Sequence, residues 1–299
     1  MIEILPQIIW FSLLASAIYA LMAIGLSLIF GILGFINFAH GDFAMVGAYI
    51  FFALIVMFGL PWWIGLILVI AAAVVLGIII EKLTFKPVRK SPTFTPLIIS
   101  IGVGALLQAI VILIFGTGVK SYRVEGHESL TYNMFDGALI VTQSQIVLIL
   151  ATIGLLIALY MFLKYSKTGK AIRAVADNKE IAAILGINID RTISIIFAIS
   201  TALAAIGGLL IASEQNLSVT MGISLGVKAF AAVILGGVGS LLGAVIGALI
   251  IGFSENFLIG FTPIPANFKD AIVFIILIVM LFIRPNGIMG EKADEDIRK

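Results

Sequence analysis

No formal charge occurs between Ile4 and Ala39, and after Asp42 none occurs again between Phe43 and Ile80. A helix needs roughly 20 apolar residues to cross about 30 Å of hydrocarbon, so each run holds more than one simple crossing. The two runs divide into helices at about 8–30, 43–59 and 62–80, with Gly59-Leu60-Pro61 as a tight turn at the membrane surface. Further apolar runs lie at about 94–116, 143–163, 193–213, 229–256 and 266–283. The pattern predicts an all-α polytopic membrane protein of eight transmembrane helices. A broken or re-entrant pair inside 229–256 makes nine.

Composition agrees. Hydrophobic residues make up 62% of the 299-residue chain and charged residues 11%, against about half and about a quarter in soluble domains. A mean hydropathy of +1.22 cannot be hidden in a soluble core of this size. The whole of 1–299 therefore reads as one transmembrane domain. Eighteen basic and sixteen acidic residues leave a net charge of +2, too little for a nucleic-acid footprint. The chain has no cysteine, and its two histidines, His40 and His127, lie too far apart to suggest a metal site. The start Met1-Ile2-Glu3 lacks a basic n-region, and the first apolar run is too long for a cleavable leader, so it is expected to stay as a span.

Orientation follows from the lysines and arginines. Segments 81–90 and 164–191 carry ten of the 18 basic residues, which assigns both to the cytoplasm. The connection 117–142 has Lys120 and Arg123 against Glu125, Glu128 and Asp136, and is assigned outside. Trp10, Trp62 and Trp63 then fall near outer span ends, as interface anchors. These assignments put the N-terminus outside, and nine crossings would put the C-terminus inside.

Glycines punctuate the spans. Gly31/Gly34 and Gly236/Gly239 each form a G-x-x-G step inside an apolar run. Such steps suit either close helix packing or discontinuous helices flanking a translocation site. The segment Asn37-Phe38-Ala39-His40-Gly41-Asp42 interrupts the longest apolar stretch. A carboxylate at the bilayer centre costs about 2.5 to 3.5 kcal/mol on insertion scales, so the segment must end at an interface, line a cavity or be buried in protein. One reading is a cytoplasmic hairpin with Asp42 capping the next helix; the other is a broken-helix element beside the pathway, with Asn37, His40, Gly41, Asp42, Gly236 and Gly239 as candidates. Glu214 and Glu255 read as interfacial anchors.

The long cytoplasmic segment predicts a helix capped by Thr168, running to about Leu185 and stopped by Gly186. Ile172, Val175, Ala176, Ala182 and Ala183 form its apolar face, which fits a docking surface better than a membrane anchor. Thr168-Gly169-Lys170 is not a phosphate loop: the upstream glycine is missing, and Ala171 stands where a magnesium-holding hydroxyl is needed. Any ATP hydrolysis must then occur on another subunit, and no cofactor is expected on this chain.

Three blocks carry a family resemblance. The run 25–49, GLSLIFGILGFINFAHGDFAMVGAY, resembles the N-terminal signature of high-affinity branched-chain amino acid permeases of ABC importers, in particular the shorter of their two permease subunits. Blocks 169–191 and 230–256 are similar to the same family, in the same order, across nearly the whole chain. The resemblance implies a multi-pass permease of the inner (plasma) membrane without its own ATPase site. It also implies a second permease subunit, two ATPase subunits and an extracytoplasmic solute-binding protein as partners. Residues 169–186 would supply the helix that docks on an ATPase, with Gly169, Arg173, Ala176, Asn178 and Gly186 as the matching positions. The implied cargo is leucine, isoleucine and valine, moved by alternating access. The same scaffold serves permeases for urea and short amides, and a self-sufficient secondary transporter or a channel are the remaining alternatives.

Overall fold

A computed structural model describes the chain except residues 1–3, 90, 93, 123–129, 135–136, 264, 266–267 and 291–299. Lys90, Arg123, Glu125, His127, Glu128 and Asp136, used above in the reading of charges and ligands, lie outside the described residues, as does the Met1-Ile2-Glu3 start. Among the described residues, seven helices are long and apolar enough to cross a membrane. They are α1 (Leu5–Leu33), α2 (His40–Phe52, prolonged by a π-helical turn Ala53–Met57), α3 (Trp62–Ile80), α5 (Phe94–Phe115), α6 (Gln143–Tyr165), α9 (Ile189–Glu214) and α11 (Leu241–Phe261). After α3 the chain continues helically through a π turn, Glu81–Phe85, into a short α4 (Lys86–Val88).

Two shorter apolar helices complete the bundle, α10 (Met221–Gly236) and α12 (Lys269–Ile283). The stretch 229–256, the seventh apolar run, is thus two helices, broken at Gly237–Ser240. Gly237 and Gly239 both have positive φ there, a conformation that only glycine adopts freely, and the Ser240 hydroxyl caps α11 by accepting from the Gly243 N–H at 3.0 Å. The fold is that of an all-α polytopic membrane protein, with one addition: a small antiparallel hairpin, β1 (Thr131–Met134) with β2 (Leu139–Thr142), between α5 and α6.

The core is built on α1, α9 and α11. At 29 residues, α1 extends about 43 Å at 1.5 Å per residue, longer than the hydrocarbon it crosses. Its second half is buried on every side, from Ile18 to Ile29, so it is surrounded by protein rather than lipid. By contrast α3, α5 and α6 leave most of their surface outward, with Ile67, Leu113 and Leu150 among their exposed residues.

Polar bonds tie the two ends. At one end the Trp10 indole donates to Gln145 Oε1 at 2.9 Å, and Gln145 Nε2 donates to Glu214 Oε2 at 2.9 Å. Gln7 bonds the Ile140 backbone in both directions, at 3.2 and 2.8 Å. At the basic end Arg89 pairs with Glu81 and with Asp190 (2.6 Å), Lys86 pairs with Asp190 (2.8 Å), and Ser194 donates to Glu81 at 2.6 Å. Phe35 stacks on Phe85 at 5.4 Å there, so the end of α1 and segment 81–89 share that end. Residues 288 and 289 donate to the Leu235 and Gly236 carbonyls, and the 237–240 break lies against Gly31 of α1. The chain after α12 therefore returns to the basic end.

Candidate functional site

The segment Asn37–Asp42 is not a surface hairpin. Gly34 ends α1 in the left-handed region (φ 74), and the chain turns back into the bundle. His40 is fully enclosed, with Nε2 3.0 Å from the Met22 carbonyl. Met22 lies eleven residues before Leu33, so α2 starts about 16 Å inside the end of α1. Gly25 makes room for the imidazole, since a Cβ there would stand 2.8 Å from its Cε1. Ser200 of α9 donates to the Gly25 carbonyl at 2.6 Å and lies 3.5 Å from His40 Nδ1.

Asp42 does not cap α2, which has no side-chain cap. A cap acceptor would have to precede the helix, whereas Asp42 lies in its first turn. Its carboxylate is buried and accepts from Gln108 Nε2 of α5 at 2.8 Å. The Asn37 side-chain oxygen accepts from the Ala39 N–H at 3.2 Å. Its buried amide nitrogen has no bond, an arrangement that costs about 1–3 kcal/mol where no water reaches it. Gly41 lies against the backbone of α10: a Cβ on it would run into the Gly222 carbonyl, and one on Gly226 would lie 3.5 Å from the Gly41 Cα. The break at the other G-x-x-G step comes close too. A methyl on Gly31 would stand 3.6 Å from the Gly239 Cα, and Gly236 abuts Gly243 across the break. Four of the candidates, Asn37, His40, Gly41 and Asp42, therefore lie together where α2 meets α1, α5 and α10. Gly236 and Gly239 form a second focus at the basic end.

A charged cluster escaped the sequence reading. Glu255 of α11 is not an interfacial anchor but buried, with Oε1 3.1 Å from Lys228 Nζ of α10 and 3.7 Å from Lys269 Nζ. Tyr19 of α1 donates to Glu255 Oε2 at 3.0 Å and accepts from Lys228 at 3.2 Å. Asp270, near the start of α12, pairs with Lys228 at 3.2 Å. One ammonium thus holds four helices together. The signal was available: Lys228 is a lone charge in an apolar stretch, and an intramembrane charge calls for a partner.

The basic segment 166–186 is two helices. Ser166, not Thr168, is the cap of α7 (Lys167–Asp177), accepting from the Gly169 N–H at 2.8 Å. Asn178 leaves helical geometry and caps α8 (Lys179–Ile184), accepting from the Glu180 and Ile181 N–H groups at 2.9 and 3.0 Å. Gly186 ends the segment with φ 83. Gly169 packs on the carbonyls that end α6, and Arg173 Nη1 donates to the Leu163 carbonyl at 2.6 Å. Ile172, Val175 and Ala182 are buried, facing this protein's own bundle. Of the five matching positions, Gly169, Arg173, Asn178 and Gly186 shape the segment, and Ala176 is left exposed. The apolar surface offered to water is elsewhere, at Ile181, Ile184 (85% exposed) and Leu185 (72%). Partial desolvation and the Arg89 guanidinium hold the Lys179 ammonium below the ordinary lysine value.

Lipid-length helices around a buried inward-turning segment, with a charged cluster joining α1 and α11 to the shorter α10 and α12, define a polytopic membrane protein. Residues 8–281 match the family described as branched-chain amino acid transport system / permease component. The chain is 36% identical over 295 residues, 93% of each chain, to the high-affinity branched-chain amino acid transport system permease protein LivH of Escherichia coli (strain K12). It is 33% identical over 296 residues, 95% of each, to the corresponding permease protein BraD of Pseudomonas aeruginosa. Among solved structures, PsaBC from Streptococcus pneumoniae in complex with Fab shares the fold with a TM-score of 0.52 at 12% identity, over 93% of this chain and 92% of that one. The chain belongs to the branched-chain amino acid ABC permease family.

Proposed function

We propose that this chain, acting as one transmembrane domain, forms one half of the pathway through which an ATP-driven importer of the inner membrane carries leucine, isoleucine and valine. The observation that carries this reading is the correspondence, over 93% of both chains, with a permease named for that cargo. The finer arrangement follows the family: a second permease subunit beside this one, two ATPase subunits at the basic end, and a solute-binding protein at the other. In this arrangement the chain hydrolyses no ATP itself.

Two places do the work. The junction of α2 with α1, α5 and α10, holding Asn37, His40, Gly41 and Asp42, is the element beside the pathway. It combines a helix start inside the bundle with an unbonded amide, a feature of transporter sites near the midplane. Gly236 and Gly239 shape the break that lets α10 and α11 pivot against the end of α1. Residues 167–186 dock on an ATPase. Gly169, Arg173, Asn178 and Gly186 set the angle of α7 and α8, and Ala176, Ile181, Ile184 and Leu185 make the contact. Because α7 is bonded to the end of α6, a push on α8 passes to the spans.

An apolar path discriminates aliphatic side chains weakly, about 1 to 3 kcal/mol per methylene, so selection rests mainly on the binding protein. The test is competition of labelled leucine uptake, in vesicles holding the full assembly, by isoleucine, valine and urea. The reading predicts competition by isoleucine and valine but not urea; competition by urea alone moves the chain to the permeases for small amides.

A further inference from the structure

We propose that an anionic phospholipid of the leaflet at the basic end occupies a groove between α3, α6 and α9. There α3 and α6 both pack on α9 without closing on each other, leaving a cavity of about 1010 Å³. Its walls are aliphatic, including Ile70 and Val74 of α3, Leu155 and Leu159 of α6, and Ile199 and Ile206 of α9. Its mouth carries Lys82, Lys86 and Arg191. The one carboxylate there, Asp190, is already paired with Lys86 and Arg89. Lys82 and Arg191 are exposed and form no ion pair among the described residues. The mouth is left with surplus positive charge.

Length and level favour a lipid over a solute path. From Lys82 to Ile70 the groove runs about 18 Å along α3, and from Arg191 to Ile206 about 22 Å along α9, at 1.5 Å per residue. That is slightly more than the roughly 15 Å of half a hydrocarbon core, so the groove spans one leaflet and its headgroup layer rather than the membrane. Tyr160 and Tyr165 on α6, both exposed and each within 5.5 Å of the Lys164 ammonium, mark the headgroup level at this end. Basic side chains above an aliphatic slot between spans suit an anionic headgroup with its acyl chains below.

The test is native mass spectrometry of the purified full chain, titrated with phosphatidylglycerol or phosphatidylcholine of matched acyl length. Phosphatidylglycerol is expected to bind more tightly. Each juxtamembrane cation contributes about 1 kcal/mol toward an anionic lipid surface, so the double variant Lys82→Ser/Arg191→Ser should bind phosphatidylglycerol about 25-fold more weakly. Lys167→Ser/Lys170→Ser removes the same charge from the same end but outside the groove, and should leave binding unchanged. Ala202→Phe, which fills the slot, should weaken both lipids. Equal binding of the two lipids by the unmodified chain overturns the proposal, as does equal loss in the two double variants. If Ala202→Phe keeps phosphatidylglycerol binding but loses the second permease subunit on co-purification, the groove is a protein interface and the proposal fails.

Discussion

Lys228 and Glu255 meet at 3.1 Å inside the bundle, with both side chains almost fully removed from solvent. Two charges withdrawn from water regain their hydration energy only if their remaining hydrogen-bonding capacity is filled. Tyr19 and Asp270 fill it, and α1, α10, α11 and α12 are joined as a result. The short α12 is thereby fastened at its first turn to α10, the helix that precedes the break at Gly237–Ser240.

Removing Glu255 leaves Lys228 only the half-exposed carboxylate of Asp270, and removing Lys228 leaves Glu255 only the Lys269 ammonium at 3.7 Å. Glu255→Ala should destabilise the detergent-solubilised protein by up to about 3–5 kcal/mol, whereas the apolar double replacement Lys228→Met/Glu255→Leu should cost less than Glu255→Ala. Thermal unfolding of the variants checks this. A double variant as unstable as the two single losses added together would show that the residues do not act as a pair.

Contact between α2 and α10 depends on the missing side chain of Gly41. Gly41→Ala pushes a methyl into the Gly222 carbonyl, an overpacking cost of about 1–3 kcal/mol that the two backbones cannot relieve by a rotamer change. Gly102→Ala on α5 meets nothing within 4 Å and serves as the control. Uptake and melting temperature should fall for the first and hold for the second. Equal behaviour would remove the close approach from the account.

Asp42 accepts from Gln108 rather than capping its helix. Asp42→Asn keeps an acceptor for Gln108, while Asp42→Leu strands the amide at a cost of about 1–3 kcal/mol. Expression and uptake should rank wild type, Asn, Leu. If Gln108→Leu rescues Asp42→Leu, the bond is the reason; if rescue fails and Asn is as poor as Leu, the negative charge itself is what transport needs.

Much of this was legible in uncharged runs. Most spans were readable because lipid demands about 20 apolar residues whatever the fold, and α1, α3, α5, α6 and α9 coincide with runs identified from the sequence. The break at Gly237–Ser240 was one of two readings of 229–256, since Gly236-Gly237-Val238-Gly239 reads equally as tight packing or as a helix end, and tertiary contact with Gly31 decides. Glu255 and Lys228 lie 27 residues apart, too far for any local rule to pair them. In segment 166–186 Thr168 and Ser166 are both competent caps. The choice fell to Ser166 because Gly169 must pack on the carbonyls ending α6. The same docking turned Ile172, Val175 and Ala182 inward, so the apolar stripe seen in the sequence is mostly an internal contact.

Ile184 and Leu185 are the strongest candidates for contact with an ATPase because they are the most exposed large apolar side chains in and just after α8. Ile184→Asp should weaken co-purification of the ATPase subunits about 30-fold or more if it sits at the centre of the contact, where one side chain carries 2 kcal/mol or more. Membrane insertion should be unchanged, since the spans decide it. Arg173→Ala should do less, through the lost bond to the Leu163 carbonyl. Equal co-purification of wild type and Ile184→Asp would move the contact away from α8.

The central claim is that this chain carries solute only when separate subunits hydrolyse ATP. The most direct measurement is labelled leucine uptake by proteoliposomes holding the chain with its second permease, ATPases and binding protein, compared with proteoliposomes holding this chain alone under an ion gradient. Uptake that needs internal ATP and every partner, and is lost with Ile184→Asp, is the predicted result. Gradient-driven uptake by the chain alone would contradict it.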